Sequence, residues 1–121
     1  MKIERFEDLK VWKYAKDLAI EIYKLTLNEK FRKDFGLREQ IQRSSVSILS
    51  NIAEGYERNN NREFIKFLVY AKGSAGEVRA QLHLAYSIGY TSETEFKSIY
   101  KKVVDISQQL SNFIKYLKGN L

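Results

Sequence analysis

Apolar residues recur along this chain at steps of three and four in four long stretches parted by short polar breaks, the spacing of one face of an α-helix. The spacing predicts helices over about 8–28, 37–58, 62–88 and 92–118. The last stretch is the most regular. Phe96, Ile99, Val103, Ile106, Leu110, Phe113 and Leu117 alternate steps of three and four, a heptad seam that packs long helices at about 20°. In the first stretch Trp12, Ala15, Ala19, Ile22, Tyr23 and Thr26 share a side flanked by Leu18 and Leu25, with Lys10, Lys13, Asp17, Glu21 and Lys24 opposite. In the third, Phe64, Phe67, Leu68, Ala71, Ala75, Val78, Leu82, Ala85 and Tyr86 form the inner stripe.

The breaks carry helix-end chemistry. Asp8 is the expected N-cap of the first helix. Glu29 to Gly36 reads as a connector of polar residues around two phenylalanines, closed by Gly36. Asn59-Asn-Asn61 is the clearest interruption, and Asn60 with Glu63 and Ser92 with Glu95 have capping-box spacing. Gly89 suits a left-handed helix end. Short links between long helices make neighbours antiparallel. The expectation is an all-α, up-down-up-down antiparallel four-helix bundle, one domain over residues 1–121.

The second helix has more apolar surface than such a bundle covers. Leu37, Ile41, Ser44, Ser45, Ile48, Ile52 and Gly55 share one face, Val46, Leu49 and Ala53 form a second stripe, and the polar remainder (Glu39, Arg43, Ser50, Glu54, Glu57) is narrow. A helix apolar over more than half its circumference is buried on two sides. The third helix has a matching oddity: Val69, Gly73, Gly76, Ala80 and Leu84 recur away from its inner stripe. Glycine inside a helix costs about 1 kcal/mol relative to alanine, so two of them on an outer face call for a reason. Close approach of another subunit supplies one. The predicted oligomer interface therefore joins Val46, Leu49 and Ala53 to Val69, Gly73, Gly76, Ala80 and Leu84.

Composition narrows the function classes. At 121 residues, 44% hydrophobic and 30% charged, the chain is an ordinary globular domain, and zero proline with six glycines leaves long helices unbroken. No apolar run of about 18 residues marks a membrane span, and the N-terminus has no apolar signal core. With no cysteine, these features suggest a cytoplasmic, bacterial-type protein. Enzymatic chemistry finds little support. His83 is the one histidine, no G-x-S-x-G elbow exists, and Gly73-Ser-Ala-Gly76 lacks the ending of a phosphate loop. Glu21, Glu54 and Glu77 have no Glu-x-x-His partner for a metal pair. No catalytic residue, metal or cofactor is expected. Glu54 and Arg58 have the spacing of an ordinary ion pair one turn apart, while Asn51 is placed to hydrogen-bond across a helix contact.

The net charge of +6 biases the surface toward polyanions. Two clusters carry it: Lys30, Arg32 and Lys33 in the first connector, and Lys97, Lys101 and Lys115 along the fourth helix, with Gln108 on the same line. Closed symmetry would repeat each cluster and add phosphate contacts, with no sequence-specific base reading. The eight tyrosines show no stacking platform in the sequence. The favoured reading is a non-enzymatic, ring-like homo-oligomer that binds nucleic acid, RNA before DNA, or serves as an assembly factor. The alternative is a scaffold whose basic exterior meets an acidic partner protein, without nucleic acid.

Phe6-Glu-Asp-Leu-Lys-Val-Trp12, Gly36-Leu37, Gln40-Ile41, Arg43, Ser47-Ile48, Ser50-Asn-Ile-Ala-Glu-Gly55, Phe64 with Leu68, Ala71, and Gly73-Ser74 with Glu77 together resemble the four-helix-bundle family named for the 23S rRNA intervening sequence. The resemblance runs in order through nearly the whole chain. Two positions depart from the pattern: the first connector lacks its common proline, and Leu49 stands where members commonly have proline. The resemblance implies an up-down bundle assembled as a ring-like homopentamer. It also implies kinship with accessory proteins of diversity-generating retroelements, whose basic barrel contacts nucleic acid and a reverse transcriptase.

Overall fold

A computed structural model of the chain describes residues 2–121. It contains four helices: α1 (Lys10–Leu25), α2 (Phe35–Glu57), α3 (Asn61–Ser87) and α4 (Glu93–Lys118), with 3-10 turns at Phe6–Asp8 and Phe31–Lys33. No strand occurs among the described residues. Each helix packs on the next, α4 returns to α1, and α2 with α3 form the most extensive contact. None of the helices is long and apolar enough to cross a membrane.

Side chains at the helix ends decide where each helix begins. Asp8 is not the cap of α1, which starts at Lys10 with Leu9 before it and no side-chain cap. Its carboxylate is already engaged, accepting from the Glu4 backbone N–H at 3.1 Å with the Arg5 guanidinium 3.7 Å away. That hydrogen bond, aided by the Arg5 charge, holds the Asp8 carboxyl below its ordinary range. Asp34 caps α2 instead, accepting from Leu37 N–H at 3.0 Å, so α2 opens at Phe35 and Gly36 lies in its first turn rather than closing the connector. Ser92 and Glu95 form a full capping box at 3.1 and 3.0 Å. Asn60 accepts from Glu63 N–H at 3.1 Å, but only Ser92 gains the reciprocal bond; Glu63 turns toward Arg58 at 3.7 Å. Gly89 takes the left-handed conformation, φ +83°, and Asn59 does the same at φ +54° between α2 and α3.

The core lines the inner faces. On α2 it comprises Leu37, Ile41, Ser44, Ser45, Ile48, Ile52 and Gly55, the seven residues that the helical wheel groups together. On α4 Ile99, Val103, Ile106, Leu110 and Leu117 are buried with Ile114, while Phe96 and Phe113 are half-buried at its edges. On α3 the inner stripe gains Ser74, leaves Phe67 half-buried and turns Tyr86 outward. On α1 the expected inner residues Ala15, Ala19, Ile22 and Thr26 are buried, and the differences are at Val11, Trp12 and Tyr23. Val11, Ala15, Leu18, Ala19, Ile22 and Leu25 are buried, Trp12 is half-buried and Tyr23 is exposed. The compact aliphatic seam through Val11, Leu18 and Leu25 fills the interior, and the amphipathic tyrosine goes to the margin, where its hydroxyl stays hydrated.

Two features hold α2 against α3. Gly55 allows the backbones to close up, since a Cβ there would stand 2.8 Å from the Phe67 Cβ and 2.9 Å from the Phe64 ring. Further along, Ser74 Oγ donates to Ser47 Oγ at 2.9 Å, while Asn51 Nδ2 donates to the Ser47 carbonyl at 2.9 Å and to its Oγ at 3.0 Å. Asn51 thus bonds within its own helix and reaches α3 only through Ser47. Through Leu49, where the family resemblance implies a proline, α2 continues as one unbroken helix.

Candidate nucleic-acid interface and subunit faces

The first connector is a built structure rather than a slack link. Asn28 Nδ2 donates to the Tyr90 carbonyl at 2.8 Å, and Asn28 Oδ1 accepts from Phe31 N–H at 2.9 Å. Phe31 fills the core beneath, its ring 5.2 Å from that of Tyr90. The Tyr90 hydroxyl donates to Asp34 Oδ2 at 3.0 Å, which pushes the phenol above its ordinary range, reinforced by partial burial and the carboxylate charge. These bonds tie the connector to the α3–α4 loop. Its cations face outward. Arg32 and Lys33 each reach Glu29 at 3.4 Å, and Lys30 is exposed with no carboxylate partner among the described residues. Arg38 adds a fourth positive charge, donating to the Arg32 carbonyl at 2.9 Å.

The second cluster lies along the exposed side of α4. Lys97 pairs with Glu93 at 2.9 Å, whereas Lys101 and Lys115 have no carboxylate partner among the described residues. Gln108 is exposed between them. Lys97 begins near the connector end of the molecule, and Lys115 sits in the last turn of α4. Beside Lys97 is an aromatic group that pattern reading missed, because its members come from two helices. The Tyr86 and Phe96 rings stack at 4.5 Å, His83 lies 5.1 Å from both Phe96 and Tyr100, and Arg79 donates to the Tyr100 hydroxyl at 3.1 Å.

The carboxylates named as conceivable ligands are dispersed. Glu21 pairs with Lys102 at 2.6 Å, Glu54 with Arg58 at 2.8 Å, and Glu77 is exposed across α3. No cluster of three metal-ligating side chains occurs among the described residues.

The expected subunit residues lie outside the packed core. Val69 and Leu84 are 50% and 51% exposed, Ala80 is exposed, and around Gly73 and Gly76 nothing comes within 4 Å of where a Cβ would stand. Val46 is exposed, and Leu49 and Ala53 are half-buried. Around these α2 residues the structure adds a ridge from α1 and the turn after it: Ile20, Tyr23 and, beyond the helix end, Leu27, the last 73% exposed, border an apolar groove whose other wall includes Leu49. The steps of three and four from Ile20 to Tyr23 to Leu27 were available in the sequence as a second stripe. Assigning Tyr23 to the interior concealed it.

These observations define an all-α four-helix protein whose candidate interaction residues lie on helix exteriors. The chain belongs to the 23S rRNA-intervening sequence protein family, which matches residues 7–112. Its fold is similar to that of a protein of unknown function from the S23 ribosomal protein family of Bacteroides thetaiotaomicron VPI-5482. That likeness has 30% identity and a TM-score of 0.80, and covers 87% of this chain and 98% of the other. No curated protein gives a significant match.

Proposed function

We propose that this chain forms up-down-up-down bundles that assemble head to tail into a ring-like homo-oligomer, with five subunits favoured. The ring binds RNA through its basic outer surfaces, as an accessory or assembly factor without catalysis. Antiparallel neighbours are supported by contacts between opposite helix ends: Gly55 with Phe67, Phe64 with Phe113, and His83 with Phe96. The ring is supported by two apolar faces of unlike shape. One is the α1–α2 ridge and groove; the other is the small-residue face of α3. Unlike faces pair heterologously, and a heterologous contact closes into a ring when its rotation allows.

The observation that carries the RNA reading is the pair Lys101 and Lys115, exposed on α4 without carboxylate partners among the described residues, in a chain of net charge +6. Repetition around a ring multiplies phosphate contacts, and each phosphate neutralised releases counterions, so affinity falls steeply with salt. The decisive experiment is the mass of the purified protein in solution, with and without RNA, at low and moderate salt. A stable monomer showing no salt-dependent RNA binding overturns the proposal.

A further inference from the structure

The first connector holds two phenylalanines in opposite environments: Phe31 is fully buried, while Phe35, the first residue of α2, is 68% exposed. We propose that Phe35 and Arg38 form a stacking site for one unpaired nucleobase, an inference that rests on the RNA-binding reading above.

Phe35 is held in place, not loose. Asp34 caps α2 through Leu37 N–H at 3.0 Å and simultaneously accepts from Tyr90 at 3.0 Å, which sets the first helical turn and the direction in which Phe35 leaves it. Arg38, nearly one turn on, lays its guanidinium 4.7 Å from the ring centroid. That guanidinium is anchored in turn by the Arg32 carbonyl at 2.9 Å. The ring is thus braced on one side while most of its surface meets water. Beside Arg38, the preceding connector carries three further cations, Lys30, Arg32 and Lys33, against the acids Glu29 and Asp34.

A flat apolar ring set among cations matches a nucleotide. Its base offers a π-face to the phenyl ring, and the adjoining phosphates meet the lysines and arginines. Arg38, stacked on the same ring, extends the platform. Paired bases already stack on their neighbours, so the occupant is a base from a single-stranded or looped segment. The subunit faces are different in kind, being runs of aliphatic and small residues rather than one aromatic ring braced by a guanidinium.

The test compares the full-length parent with Phe35→Ala and Phe35→Trp, binding a single-stranded uridine oligonucleotide and a duplex RNA of equal length across a salt series. Phe35→Ala is expected to lose roughly 5- to 150-fold in affinity for the single strand, the range for one stacked base. Duplex binding, the slope of affinity against salt and the oligomer mass should not change, and Phe35→Trp should retain single-strand affinity. Equal single-strand affinity in Phe35→Ala and the parent overturns the stacking site while leaving RNA binding intact. Equal losses on single strand and duplex overturn it as well. Dissociation of the Phe35→Ala oligomer would make Phe35 a subunit contact, and a parent that binds only an acidic protein would remove both this site and the RNA reading.

Discussion

Gly55 lies so close beneath Phe67 that a methyl group at the glycine would stand 2.8 Å from the Phe67 Cβ, well inside van der Waals contact. The α2–α3 interface is therefore built around a missing side chain. In an exposed helix, Gly→Ala gains about 1 kcal/mol. Here overpacking outweighs that gain, and Gly55→Ala is expected to destabilise by about 1–3 kcal/mol. Urea unfolding checks this, and a midpoint at or above the parent's would show that α3 yields to the methyl group.

Gly73 and Gly76 present the opposite case, having no neighbour near their missing Cβ atoms within the subunit. A larger side chain there costs the isolated bundle nothing and acts only on an interface. Gly76→Arg and Ala80→Glu are expected to dissociate the assembly while leaving helix content unchanged; light scattering at the parent's mass for either would remove α3 from the interface. Leu27→Glu, on the other face, should act likewise. On the proposed head-to-tail contact, mixing Gly76→Arg with Leu27→Glu restores one good junction per pair. The mixture should therefore give a dimer, whereas neither variant alone exceeds a monomer.

Changing Lys97, Lys101 and Lys115 together to Glu reverses the charge along α4. The expected result is loss of RNA binding by the parent-sized assembly, measured by fluorescence anisotropy over a salt titration. For every phosphate that the assembly no longer neutralises, the magnitude of the log–log salt slope should fall by about 0.7 for a single strand. Affinity equal to the parent's at every salt concentration would place binding elsewhere.

The Tyr90–Asp34 hydrogen bond predicts a specific alkaline behaviour. Tyr90's folded pKa is raised above its unfolded value near 10, chiefly by donation to the Asp34 carboxylate. Its contribution to stability is therefore fully present below about pH 10 and is lost as pH rises through the folded value. Tyr90→Phe abolishes that dependence. Thermal melts between about pH 8 and 11 should show the parent falling toward the variant as pH rises, and a constant difference across that range would exclude the linkage.

The four helices were legible in the sequence because periodicity reports local geometry: positions three and four apart share a face whatever packs on it. The buried face of α2 and the Ser92–Glu95 box could be read without knowing any neighbour. The margins of α1's buried face could not, because Trp12 and Tyr23 are equally good interior and margin residues until the partner helices limit the space. Asp8 failed as a cap for a related reason, its carboxylate having been claimed by Glu4 and Arg5 in a turn that the spacing does not show. Cross-helix arrangements were likewise decided by tertiary structure alone: the closeness of Gly55 to Phe67, the Ser47–Ser74 bond, and the exposure of Phe35 against the burial of Phe31. Each depends on distances between segments far apart in the chain. The sequence by itself thus determined which residues lie together along a helix, and packing determined which of those faces meet each other and which remain open to a partner.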